Sequence, residues 1–157
     1  MAHGLSWSEK YSVGHDGLDA EHRALIAAIS GICTRGPDDD LSALHPLIED
    51  VRKIAAKHFE NESAILRAII ASTASEIYSP RFLKSMTEAV LHEHVDHHAG
   101  EIIQLDSIFA TGKSSASHLC YELENWFLKH AVKYDAHLKA LFQAMQNDCP
   151  KLFRKLS

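Results

Sequence analysis

Seven ionisable side chains interrupt four otherwise apolar helical stripes, and any fold of this chain has to find a place for all of them. The first stripe runs Leu18, His22, Leu25, Ile29, Ile32, and the second Val51, Ile54, His58, Glu62, Ile65, Ile69. The third runs Leu83, Thr87, Leu91, His94, His98, Ile102, Leu105, Phe109, and the fourth Leu119, Leu123, Trp126, His130, Leu138, Leu141, Met145. Steps of three and four residues return to one face of an α-helix, and no strand-like alternation competes with them. Histidine, glutamate and aspartate are poor core residues unless something pairs with them. Four such stripes predict an all-α fold, an up-down four-helix bundle, with the polar groups aimed into its core.

Local signals place the ends. The first helix is expected near Leu18, with Asp16 or Asp19 suited to its electropositive first turn, and Gly36-Pro37 followed by Asp38 to Asp40 as a solvated polar loop. The second is expected from about Asp40 to Ser42, with Pro46 in its first turn, where a missing N–H matters least. Residues 71–79 read as a connection, and Ser79-Pro80 as the N-cap and first residue of the third helix. Thr111-Gly112 is expected to stop that helix and Ser114 to Ser117 to cap the fourth. Asp135 is the misfit, because five residues after His130 a regular helix turns it about 140° away. An i→i+5 widening across residues 130–135 returns both to one face, so a π-bulge is expected there.

The chain's 157 residues form one expected domain, 1–157, with its core at about 12–146. A net charge of −5 without a Lys/Arg block argues against nucleic acid as a partner. Met1 to Tyr11 has no signal-peptide apolar run, and no stretch approaches the roughly 20 apolar residues of a membrane span, so the expected location is cytoplasmic. Cys33, Cys120 and Cys149 lack CxxC spacing and are odd in number, which favours reduced thiols, with Cys33 and Cys120 as core filler. Of the 12 histidines, His3, His15, His45, His118 and His137 read as surface or loop residues. His92 and His97 are assigned to the outer face, with His97 the alternative to His98 if the register shifts by one. Lys151, Arg154 and Lys155 read as a solvated tail.

His22, His58, Glu62, His94, His98, His130 and Asp135 make a nitrogen-and-oxygen donor set without thiolate. Seven donors exceed what one tetrahedral zinc uses and suit two five- or six-coordinate metals with the carboxylates bridging. Carboxylate-rich di-iron bundles use a Glu-x-x-His pair on each of two helices, and that motif is absent from this chain. A histidine-rich set brings less negative charge to stabilise high-valent iron, which favours binding a small molecule over oxidising a substrate.

On these residues the chain resembles the bacterial hemerythrins. The matching pieces are Trp7; Ser12-Val13-Gly14 with Leu18-Asp19-Ala20-Glu21-His22; His58-Phe59 with Glu62; His94 with His98; and Trp126 with His130 and Asp135. They recur in the family's order across most of residues 7–145. The resemblance implies a non-haem centre of two Fe ions, bridged by Glu62, Asp135 and an oxo or hydroxo group. It implies that His94, His98 and His130 hold one iron and His22 and His58 the other, which keeps an open position for reversible dioxygen binding. Phe59, Leu25, Trp126 and Leu66 are the candidates for an apolar pocket around it.

The chain departs from that family in three places. The interval from Glu62 to His94 is longer by about four or five helical turns, so residues 68–88 are expected to extend two helices or form a separate cap. His15 stands where the family usually has an apolar residue, and Ser63 where a second acid is common. Three functions follow for comparison. The first is dioxygen binding for storage, delivery or sensing. The second is a di-iron enzyme or redox sensor acting on O2, NO or peroxide. The third is a metal-free or zinc-bound helical interaction module.

Overall fold

The helical spacing is realised throughout the residues described by the computed structural model, 4–35, 41–75, 81–110 and 115–157, and no strand occurs among them. After a 3-10 turn at Glu9–Tyr11 come α1 (Asp16–Cys33), α2 (Leu41–Ser75), α3 (Arg81–Ala110) and α4 (Ala116–Leu128). A π-helical segment, Lys129–Tyr134, joins α4 to α5 (Ala136–Asp148), and α6 (Pro150–Leu156) follows. Helix α1 packs on α2 and α4, and α3 packs on α2, α4 and α5.

Two apolar clusters form the core, and the sequence order of each helix shows what lies between them. Along α1, Leu18 belongs to one cluster and Leu25 and Ile29 to the other, with His22 between. Along α2, Val51, Ala55 and Phe59 belong to one and Leu66 and Ile69 to the other, with Glu62 between. Val90 and Leu105 bracket His94 and His98 in the same way, and Phe127 and Leu138 bracket His130 and Asp135. A polar layer therefore crosses an otherwise apolar interior.

The start of α1 is set by its neighbours. Gly14 adopts the left-handed region (φ +79°), which a side chain there would strain. Asp19 accepts from Ser12 Oγ (2.6 Å) and Val13 N (2.8 Å), tying the entering chain to the first turn. His15 is not a surface residue: it is the N-cap, with Nδ1 accepting from Leu18 N (3.3 Å), and its Nε2 donates to the Leu156 carbonyl (3.2 Å). Its ring packs against Phe142 and Phe153. The C-terminal residues correspondingly form α6, with Leu152 buried, while Lys151, Arg154 and Lys155 are exposed as expected.

Other boundaries differ from expectation. Helix α2 continues through 71–75, where Thr73 is buried and satisfies its hydroxyl on the Ile70 carbonyl (2.9 Å). The longer interval after Glu62 thus extends α2, while Ser79-Pro80, Asp38 to Asp40 and Thr111-Gly112 lie outside the described residues. Pro46 is the sixth residue of α2, beyond its first turn. Ser115 caps α4 through His118 N (3.3 Å), within the predicted stretch.

The cysteines overturn the expectation of reduced thiols. Cys33 and Cys120 form a disulfide that joins α1 to α4 across 87 residues of sequence. Spacing in the sequence carries no trace of this pairing, because only the packing of α1 on α4 brings the two together. Closing a loop of that length restricts the unfolded chain, so reduction should lower unfolding stability by about 2–4 kcal/mol. Denaturant titration with and without reductant, with alkylation of the unreduced protein, checks this; labelling of both residues before reduction would refute it.

Candidate metal centre

All seven predicted residues converge on the polar layer, none more than 8% exposed. His58 and Glu62 lie one turn apart on α2, and His94 and His98 one turn apart on α3, so each pair projects inward together. The stretch from α4 to α5 needs its π segment to do the same. There the Asp135 N–H donates to the His130 carbonyl (3.1 Å), an i→i+5 bond that returns Asp135 to the face of His130, as the spacing predicts.

The donor atoms form two groups. His22 Nε2 lies 3.1 Å from His58 Nε2, and His58 Nε2 lies 3.0 Å from His130 Nε2. Asp135 Oδ2 is 3.1 Å from His22 Nε2 and 3.2 Å from His130 Nε2, and Glu62 Oε1 is 3.3 Å from His58 Nε2. The other carboxylate oxygens turn the opposite way: Glu62 Oε2 is 2.8 Å from His98 Nε2, and Asp135 Oδ1 is 3.5 Å from His94 Nε2. Both carboxylates span the two groups. The division expected from the resemblance differs in one residue, since His130 stands with His22 and His58 here. Its ring is fixed there from behind, where Nδ1 donates to Glu101 (3.1 Å) and one face stacks on Trp126.

These residues fit a metal ion. Two donors about 2.1 Å from a common metal and at right angles lie about 3.0 Å apart, the spacing seen among the three imidazoles. Among the described residues, both oxygens of Glu62 and Asp135 and Nε2 of His94 and His98 are buried and face other donor atoms of the layer at 2.8–3.5 Å without the alignment of a hydrogen bond. So many buried polar atoms without aligned hydrogen bonds are rare in folded proteins, and here they share one layer. His22, His58, Glu62, His130 and Asp135 can hold one ion, and Glu62, His94 and His98 form a second potential group.

Behind the donors lies a set of anchors. Nδ1 of His22 donates to the Tyr11 carbonyl (2.7 Å), Nδ1 of His94 to the Val90 carbonyl (3.2 Å) and Nδ1 of His58 to Glu21 (2.8 Å). Glu21 is in turn held by the Asn61 amide. Such bonds fix the tautomer and leave Nε2 to face a metal. With Glu21 and Glu101 the layer and its border hold four carboxylates, which balance two divalent cations. The predicted site residues include neither Glu21 nor Glu101. Glu101 had a signal, lying seven residues after His94 and hence on its face, but the predicted stripe ran through Leu91, Ile102 and Phe109. The structure buries Val90, Glu101 and Ile108 and leaves those three half-buried. His97 is on the outer side, stacked on Tyr134 and 3.5 Å from Glu93, which leaves the inward position to His98.

Opposite charges within the layer stabilise one another. Burial works to lower the His58 pKa, but Glu62, Glu21 and Asp135 outweigh it and raise it to about 10. Burial likewise opposes the charged forms of His94 and His130, and neighbouring carboxylates raise both. Burial and Glu62 push Asp135 up, yet the surrounding imidazoles bring it down to about 2, and Glu62 is held well below the usual range by His58, His98 and His130 against its burial. The carboxylates thus favour positive charge on these imidazoles, as they would favour a cation among them.

No protein-family model, curated protein or solved structure matches the chain. No helix among the described residues is long and apolar enough to cross a membrane.

His58→Ala and Glu62→Ala should each abolish stable metal loading, and Glu21→Gln should weaken it about 10-fold, while His97→Ala leaves it unchanged. Metal analysis after desalting checks this; full occupancy in His58→Ala would displace the site. Because a cation must remove the proton of a His58 raised to about 10, binding should release protons and affinity should climb with pH up to about 10. Chelator competition, corrected for chelator protonation, measures that slope, and a flat profile would contradict it.

Proposed function

We propose that this chain is a hemerythrin-like protein: an up-down four-helix bundle holding two irons and binding dioxygen reversibly for storage, delivery or sensing. The observation that carries the reading is the shared layer of five imidazoles and two carboxylates, with each carboxylate presenting one oxygen to either donor group. His22, His58 and His130 would serve one iron, His94 and His98 the other, and Glu62 and Asp135 both. Bound there, two irons would supply redox electrons and a coordination position for a diatomic ligand.

The protein's own part is orientation and exclusion of water. Glu21, Glu101 and the Tyr11 and Val90 carbonyls hold four imidazoles in place. Phe59 stacks on His98 at 4.2 Å and also packs against His58 and His130, walling off one side of the layer. Trp126 stacks on His130, while Leu25 and Leu66 belong to the apolar clusters on either side. Such surroundings keep solvent protons from a bound ligand, which favours release of dioxygen intact.

The test is an iron count with a visible spectrum, recorded anaerobically, in oxygen and after oxygen removal. Two irons per chain and an absorption change that reverses are expected. Irreversible oxidation with rapid NO or peroxide turnover would replace this reading with a di-iron enzyme or redox sensor. Zinc in place of iron would leave a helical metal-binding module.

A further inference from the structure

A second group of ligand-type side chains lies outside the histidine layer. It comprises Cys33 at the end of α1, Cys120 near the start of α4, and Glu124 one turn further along α4. One donor atom from each lies within 4.8 Å of the other two, and all three residues are half-buried, so the group borders solvent. Cys33 Sγ, bonded here to Cys120, is 3.8 Å from Glu124 Oε1, and that oxygen accepts from Leu5 N (3.1 Å), which holds the carboxylate beside the sulfurs. We propose that Cys33, Cys120 and Glu124 form a second metal site in the dithiol state, selective for a thiophilic divalent cation such as Zn2+. Disulfide formation and metal binding are then alternative states of the same three residues.

The chemistry of the group separates the two states. Reduction places two electrons and two protons on the sulfur pair and breaks the S–S bond; a phosphine reductant is oxidised to its oxide, with water supplying the oxygen and the protons. A divalent cation displaces both thiol protons to solvent and gathers two thiolates and one carboxylate, with water completing a four-coordinate set.

Geometry supports the same reading. Cys120 and Glu124 share a face of α4 at i and i+4, and the packing of α1 on α4 delivers Cys33. Sulfur donors distinguish this site from the histidine layer, whose donors are all nitrogen and oxygen. The inference is independent of what that layer binds.

The experiment starts from protein loaded at the histidine layer and desalted, then divided into disulfide and phosphine-reduced halves under anaerobic conditions. Titration with Co2+ should give a thiolate-to-cobalt charge-transfer band in the reduced half only, saturating at one ion per chain and bleached by Zn2+. Cys33→Ser and Cys120→Ser should abolish the band, Cys149→Ser should retain it, and Glu124→Gln should weaken binding at least about tenfold. The comparison of the two halves uses one unaltered sequence, so a variant that fails to fold does not obscure it. Absence of the band in reduced protein, its persistence in Cys33→Ser or Cys120→Ser, or unchanged affinity in Glu124→Gln would overturn the proposal.

Discussion

Burying five imidazoles and two carboxylates in one layer is the constraint on which the rest of this molecule depends. Removing such groups from water is unfavourable, and their mutual pairing compensates only where geometry lets each meet an opposite charge. The layer has two ways to reach balance: protons shared among the histidines, which is why carboxylates raise His58 to about 10, or cations set among the same atoms. Four carboxylate oxygens and two imidazole nitrogens that face the layer without aligned hydrogen bonds favour the second. The π segment, the Ser12–Asp19 latch and the outer carboxylates all make sense as devices that aim donors into this layer.

The two apolar clusters on either side are closed differently. On the side of Leu25, Phe59 and Phe127, the Cys33–Cys120 bond ties α1 to α4. On the side of Leu18, Leu66 and Leu138, α6 folds back so that Leu152 is buried and the Leu156 carbonyl meets His15. Both closures act on α1, the helix that contributes His22. Holding that helix at both ends restricts how far its imidazole can move relative to His58 and Asp135, and donor spacings near 3 Å tolerate little drift.

Much of this was legible because helical periodicity is a strong, local signal. His58 with Glu62 and His94 with His98 announce themselves by one-turn spacing, and the awkward fifth-residue offset of Asp135 foretold the π segment. What failed was whatever depends on the partner surface. A two-residue-wide stripe on α3 can be drawn through Leu91 and Ile102 or through Val90 and Glu101, and only the neighbouring helices choose the latter. His15 lies before α1 as a loop residue but is not at the surface, because its buried surroundings come from Phe142, Phe153 and Leu156, more than 120 residues away.

The sequence by itself determined an all-helical chain and the seven polar residues that face inward, since both follow from periodicities of three and four residues within single helices. Tertiary structure decided which donors stand together, placing His130 beside His22 and His58, because Glu101 on α3 and Trp126 on α4 fix its ring. It also decided that Cys33 meets Cys120 and that Glu21 and Glu101 support the imidazoles. Contacts between different helices depend on how those helices pack, and no spacing within one segment encodes that.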